Sequence, residues 1–166
     1  MKKSPRRLTK KPAKSINRIY IDQSGKVEGS GDTVIAFANG KKTALLIKAK
    51  DKRAIQKLFR DRGKGKVFVF RLFSLLVYLL IKDIAFTEVV IDIEYLGKSS
   101  LIKGYLLELF RKKNSKNIQP SQILFHEIGK KCEAHWHSYY VYTGKRKPEK
   151  IVDLKLVKKS LQGILG

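Results

Sequence analysis

Acids are scarce in this chain: 14 Asp and Glu stand against 37 Lys and Arg. Three of the acids sit in or at the end of apolar, strand-like runs, where an ionised carboxylate is costly unless something neutralises it. Asp22 closes Ile19-Tyr20-Ile21-Asp22, and Asp92 and Glu94 interrupt Val89-Val90-Ile91-Asp92-Ile93-Glu94-Tyr95. At the two-residue period of a strand, Val90, Asp92 and Glu94 share one face, and Ile91, Ile93 and Tyr95 share the other. A divalent cation would neutralise such a set, and Mg²⁺ takes oxygen ligands while keeping positions open for phosphate. Two such ions could bind the attacking and leaving oxygens of a phosphodiester. Ion pairing with the abundant Lys and Arg is the alternative that needs no metal.

A second cluster is His126, Cys132, His135 and His137, whose donor types suit zinc. Its spacing matches no strong zinc pattern, and on a helix His135 and His137 would diverge by about 200°. Surface or partly buried histidines beside a core Trp136 are the competing reading. Tyr139, Tyr140 and Tyr142 precede Lys145, Arg146 and Lys147. Aromatic stacking plus phosphate contact holds single strands in many proteins, although tyrosines at such spacing are more often core. The stretch Arg62-Gly63-Lys64-Gly65-Lys66 lacks the Walker pattern. It is expected to be a solvated loop whose Lys64 and Lys66 touch phosphate.

The elements that must position these groups follow from periodicity. Residues 1–17 hold seven Lys and Arg, two Pro and no acid, the composition of a disordered basic arm. Order is expected from Arg18, as a single domain over 18–166. Ile19 to Asp22 predicts a strand ending at the turn Gln23-Ser24-Gly25. Thr33–Ala38 and Thr43–Lys48 flank Asn39-Gly40, a hairpin signal because both central residues tolerate positive φ. Helical spacing appears over 51–61, and Val67–Ile81 predicts a buried helix, with a short strand at its Val-Phe-Val-Phe start as the alternative. Glu88–Tyr95 is the clearest strand. An amphipathic helix over about 98–112, a polar loop with Pro120, a strand at 123–125 and a helix at 133–143 follow. A last helix at about 150–164 carries Ile151, Leu154, Val157 and Leu161. Three leading antiparallel strands followed by alternating strands and helices predict an α/β mixed sheet covered by helices.

The formal net charge of +23 gathers polyanions, so nucleic acid is the expected partner, with an anionic membrane surface second. Val67–Ile81 is shorter than the roughly 20 residues of a bilayer span, so no membrane segment is expected. No apolar segment follows Met1-Lys2-Lys3-Ser4-Pro5-Arg6-Arg7, so no secretory signal is expected. One cysteine, Cys132, excludes an intramolecular disulfide and fits a reducing, cytoplasmic setting.

An Asp on the first of three strands, a helix, an acid-bearing fourth strand and then helix-strand-helix resembles the ribonuclease H-like superfamily. Tyr20-Ile21-Asp22-Gln23-Ser24-Gly25 is similar to the Asp-x-Ser-Gly opening of several of its families. The resemblance covers about residues 18–143. It implies that Asp22 is a metal ligand and that the fourth-strand acid of the Holliday-junction resolvase branch is Glu94, with Asp92 as the alternative. It implies a last catalytic group on a C-terminal helix, where His135 is the preferred match and Glu133 the second. The last helix carries no Asp pair, and the first offers no inward acid. The implied activity is a Mg²⁺- or Mn²⁺-dependent nuclease on structured DNA or RNA. Lys130, Lys131, Lys145, Arg146 and Lys147 would join Lys64 and Lys66 in gripping the backbone. A junction-cutting enzyme would need a symmetric homodimer. A noncatalytic nucleic-acid-binding module of the same fold is the alternative, and a ribosome-associated or membrane-surface scaffold is a third. The superfamily reading requires Asp22 and the Asp92/Glu94 strand to lie side by side in one sheet.

Overall fold

In the computed structural model, which describes residues 17–165, the first three apolar runs pair as an antiparallel meander. They are β1 (Arg18–Ser24), β2 (Thr33–Ala38) and β3 (Lys42–Ile47). β4 (Glu88–Asp92) pairs parallel with β1, and β5 (Ile123–His126) pairs parallel with β4. β6 (Lys150–Val152) pairs parallel with β3. The result is one six-stranded mixed sheet in the order β5-β4-β1-β2-β3-β6. Five α helices flank it: α1 (Ala49–Asp61), α2 (Phe68–Ile81), α3 (Ser99–Lys112), α4 (Glu133–Tyr142) and α5 (Leu154–Ser160). The fold is therefore the expected α/β mixed sheet, antiparallel strands first and parallel strands after. No helix among the described residues is long and apolar enough to cross a membrane.

Strand alternation divides the sheet into two unlike faces. One carries Ile19, Ile21, Ile35, Phe37, Leu45, Ile47, Val89 and Ile91, which join α1, α2, α3 and α5 in a single apolar core. Burying branched and aromatic side chains on that scale is the dominant favourable term in folding. The opposite face carries smaller residues, Val34, Ala36 and Ala44, which pack with Val141 of α4. In register on this same face lie Asp22 opposite Ala36 and Ser24 opposite Val34. Tyr20 sits opposite Val90 of β4, so two residues on, Asp92 falls on Asp22's side of the sheet.

Several boundaries differ from those expected. β1 runs past Asp22, because Gln23 and Ser24 pair with Ile35 and Val34 rather than turning. Asn39-Gly40 does mark a hairpin, but Ala38 pairs with Lys42 and the loop has three residues. Only Gly40 there adopts positive φ, at 91°. The start of α2 is helical, not a strand. β4 stops at Asp92, where its pairing with β5 ends at His126, so Glu94 lies beyond the strand. Lys150–Val152 is a strand on the edge of β3, not helix, and the final helix begins only after Asp153. The Asp153 carboxylate accepts from Leu156 N at 2.8 Å, a cap that fixes the helix start. The expected basic arm lies outside the described residues except Asn17, which is held by Thr87 N donating to its carbonyl at 2.9 Å.

Candidate metal centre

The parallel pairing of β1 with β4 brings the acids together. One carboxylate oxygen from each of Asp22, Asp92 and Glu94 lies within 4.8 Å of the other two. Asp22 is 4% exposed, and its two oxygens are used: Oδ1 accepts from Gln23 N at 2.8 Å, and Oδ2 meets His135 Nδ1 at 2.9 Å. Asp92 Oδ1 accepts from Ile128 N at 2.7 Å, which ties the loop after β5 to the cluster.

His135 reaches Asp22 because α4 lies close over small residues of the sheet. Ala134, His137, Ser138 and Val141 form its buried stripe. The Ser138 hydroxyl donates to the His135 carbonyl at 2.9 Å and shares a second hydrogen bond of 2.9 Å with Ser24. His137 Nε2 meets Glu149 Oε1 at 3.2 Å, and Glu149 Oε2 accepts from Ala44 N at 2.6 Å. At Gly25, where φ is 74°, an added Cβ would run into the Asp32 carbonyl and the Tyr142 ring. The fixed residues of the Asp-x-Ser-Gly stretch thus each serve the docking of α4. Asp22 meets His135, Ser24 meets Ser138, and Gly25 makes room for Tyr142.

The electrostatics follow from this crowding. Burial, and then the charges of Asp22 and Asp92, push Glu94 up to about 8. Burial also raises Asp22, with Asp92 adding to it and the Gln23 N–H and His135 opposing. Burial first, and the neighbouring acids second, thus disfavour the charged forms of Asp22 and Glu94. The three oxygens could hold one metal ion, and an all-carboxylate donor set suits a hard cation.

Comparison with protein-family models, curated proteins and solved structures finds no match to this chain.

Of the expected site residues, Asp22, Asp92 and Glu94 converge, and His135 joins through Asp22. Glu133 does not join them: it is exposed on the first turn of α4. The alternative zinc set does not form. The acid triad is the one converging group of three or more such ligands among the described residues. His135 and His137 are committed to different carboxylates, and His126 is exposed at the end of β5. Lys130 and Lys131 precede α4, while Lys145, Arg146 and Lys147 follow it, all exposed. Lys64 and Lys66 are elsewhere, in the turn entering α2 on the other face of the sheet. Trp136 is not core: it is 41% exposed, as is Tyr139. Sequence reasoning missed Ser24, Ser138 and Tyr95 as positioning residues. The Tyr95 hydroxyl accepts from Gln23 Nε2 and Val27 N, both at 3.3 Å. Its ring packs edge-on against Phe73. The pairing of two small polar residues 114 positions apart leaves no local signal.

Proposed function

We propose that this protein is a Mg²⁺- or Mn²⁺-dependent nuclease of ribonuclease H-like type, hydrolysing phosphodiester bonds of structured DNA or RNA. The observation that carries the reading is the convergence of Asp22 on β1 with Asp92 at the end of β4 and Glu94 just beyond it in a chain of net charge +23. The side-by-side placement of β1 and β4 meets the requirement set by the resemblance. The all-oxygen donor set fits a hard divalent cation.

In this reading Asp22, Asp92 and Glu94 hold the ion. When bound, the cation supplies Lewis-acid polarisation of the phosphoryl group and acidifies water. With its proton on Nδ1, His135 donates to the Asp22 carboxylate that it meets at 2.9 Å; this contact fixes the ring and leaves Nε2 able to take or return a proton. Ser138, through the His135 carbonyl, holds that turn of α4 in place. Lys130, Lys131, Lys145, Arg146 and Lys147 bracket α4 and hold phosphates on either side. The lone Cys132 fits a reducing, cytoplasmic setting.

Labelled duplex, RNA–DNA hybrid and junction substrates, each incubated with Mg²⁺, Mn²⁺ or EDTA, test the proposal alongside Asp22→Asn. Cleavage that needs the metal and is lost in the variant is expected. Binding without cleavage under every condition would leave the noncatalytic module, and cleavage unchanged in Asp22→Asn would remove the site.

A further inference from the structure

Helix α4 is built inside out. Its buried stripe is Ala134, His137, Ser138 and Val141, while Trp136 and Tyr139 are exposed and Tyr140 is half-buried beside them. Trp136, Tyr139 and Tyr140 stand at i, i+3 and i+4, so they share one side of the helix. Their rings form a closed set, with centroids 6.1, 5.9 and 6.0 Å apart. Leaving such rings in water forfeits a large burial gain, and a contiguous exposed aromatic patch on a monomer calls for a partner. The patch is held in place: Trp136 Nε1 donates to the Lys130 carbonyl at 2.7 Å. At the other end, Lys145 Nζ and Arg146 Cζ lie 5.6 and 5.5 Å from the Tyr140 ring centroid.

We propose that this face is a stacking platform for unpaired bases, so that the protein takes single-stranded or locally opened nucleic acid. The inference deepens the nuclease reading and rests on it only for the fate of the strand, not for binding. Three observations point to a strand rather than another occupant. Lys145 and Arg146 stand against the Tyr140 ring, and exposed Lys130 and Lys131 precede the helix, which suits a polyanion and repels a second copy of a chain with charge +23. Aromatic rings interleaved with Lys and Arg are the arrangement that holds single strands, because every base offers a π face and every nucleotide a phosphate. The platform also leads into the acids: the Trp136 ring meets the His135 ring at 5.2 Å, and His135 meets Asp22 at 2.9 Å. A duplex keeps its base faces stacked inside and could not use the rings without being opened.

Trp136 is the one tryptophan of the chain, so its emission reports on the platform directly. The full chain in EDTA would be titrated with a single-stranded oligonucleotide, its blunt duplex and an abasic strand of equal length, all at one salt concentration. The base-bearing strand is expected to quench Trp136 and to bind tightest. Tyr140→Ala and Trp136→Ala should each weaken it by about tenfold while leaving abasic binding unchanged, and Trp136→Phe should restore most of the loss. Because every titration is run in EDTA, where metal-dependent cleavage cannot proceed, its outcome is separate from the fate of the cleavage reading. Thermal melts check that the variants fold, and Tyr140→Ala decides the matter if Trp136→Ala does not. Equal affinity for the abasic strand, or preference for the duplex without a change in emission, overturns the proposal. So does dissociation of a dimer by Trp136→Ala, or quenching by anionic vesicles in place of the strand.

Discussion

Helices α2 and α4 lie on opposite faces of one sheet and are composed by opposite rules. α2 buries every residue from Leu72 to Ile81, and its one interior cation, Arg71, is neutralised by Glu108 of α3 at 2.6 Å. α4 buries small and polar residues and exposes Trp136 and Tyr139. The α2 face uses bulk to hold the sheet, and stability resides there. The α4 face uses small residues to let a helix come close, which sets His135 on Asp22 and leaves the aromatics outside. Packing and chemistry are thus separated by the thickness of the sheet, and substitutions on the two faces should fail in different ways.

The largest effect is expected on the α2 side. Leu76→Ala should cost about 2–5 kcal/mol, read from denaturant unfolding, because Leu76 is fully buried within the main core. Cleavage by whatever fraction remains folded should be normal. Asp22→Asn should do the reverse, lowering metal-dependent cleavage by at least about a hundredfold with no loss of melting temperature. Replacing an acid that burial already disfavours removes repulsion, not packing. A variant that lost both properties together would break the separation.

Ala36→Leu sharpens the comparison, since Ala36 lies opposite both Asp22 and Ala44 under α4. Overpacking there should cost about 1–3 kcal/mol. It should also depress cleavage, although every acid is intact, because α4 must lift and carry His135 away. The same change on a site that merely needed bulk would leave cleavage alone.

The last effect is a pH slope in the metal-free protein. Glu94 releases its proton near 4.5 when unfolded and near about 8 when folded. Between those values the folded chain holds a proton that the unfolded chain has lost. Its contribution to stability is therefore full below about 4.5, declines as pH rises to about 8 and is then flat. Unfolding in EDTA across that range should show this slope in the wild type minus Glu94→Gln difference, and a difference that does not vary with pH would mean the acids are not crowded.

Much of the site was legible because strand alternation is local. The two-residue period placed Asp92 and Glu94 on one side of an apolar run, and acids are rare enough in this chain to stand out. The length of β4 was not legible, because Val-Val-Ile-Asp-Ile-Glu-Tyr continues the alternation while pairing ends at Asp92. Ile151, Leu154 and Val157 fit a helical period, which hides the strand at Lys150–Val152. The open edge of β3 pairs with Lys150, Ile151 and Val152 instead, and Ile151 remains 59% exposed.

By itself the sequence determined the α/β order of strands and helices as far as α4, the strongly basic charge, and which acids stood in apolar surroundings. These depend on composition and short-range period, which a chain carries before it folds. The tertiary structure decided which strands became neighbours, and hence that Asp22 and Asp92 meet across β1 and β4. It also decided which side of α4 faces the sheet. The aromatic spacing of 136, 139 and 140 is the same whether the rings are core or surface. Only the small residues of β2 and β3 beneath α4, lying far away in sequence, turned that stripe toward solvent.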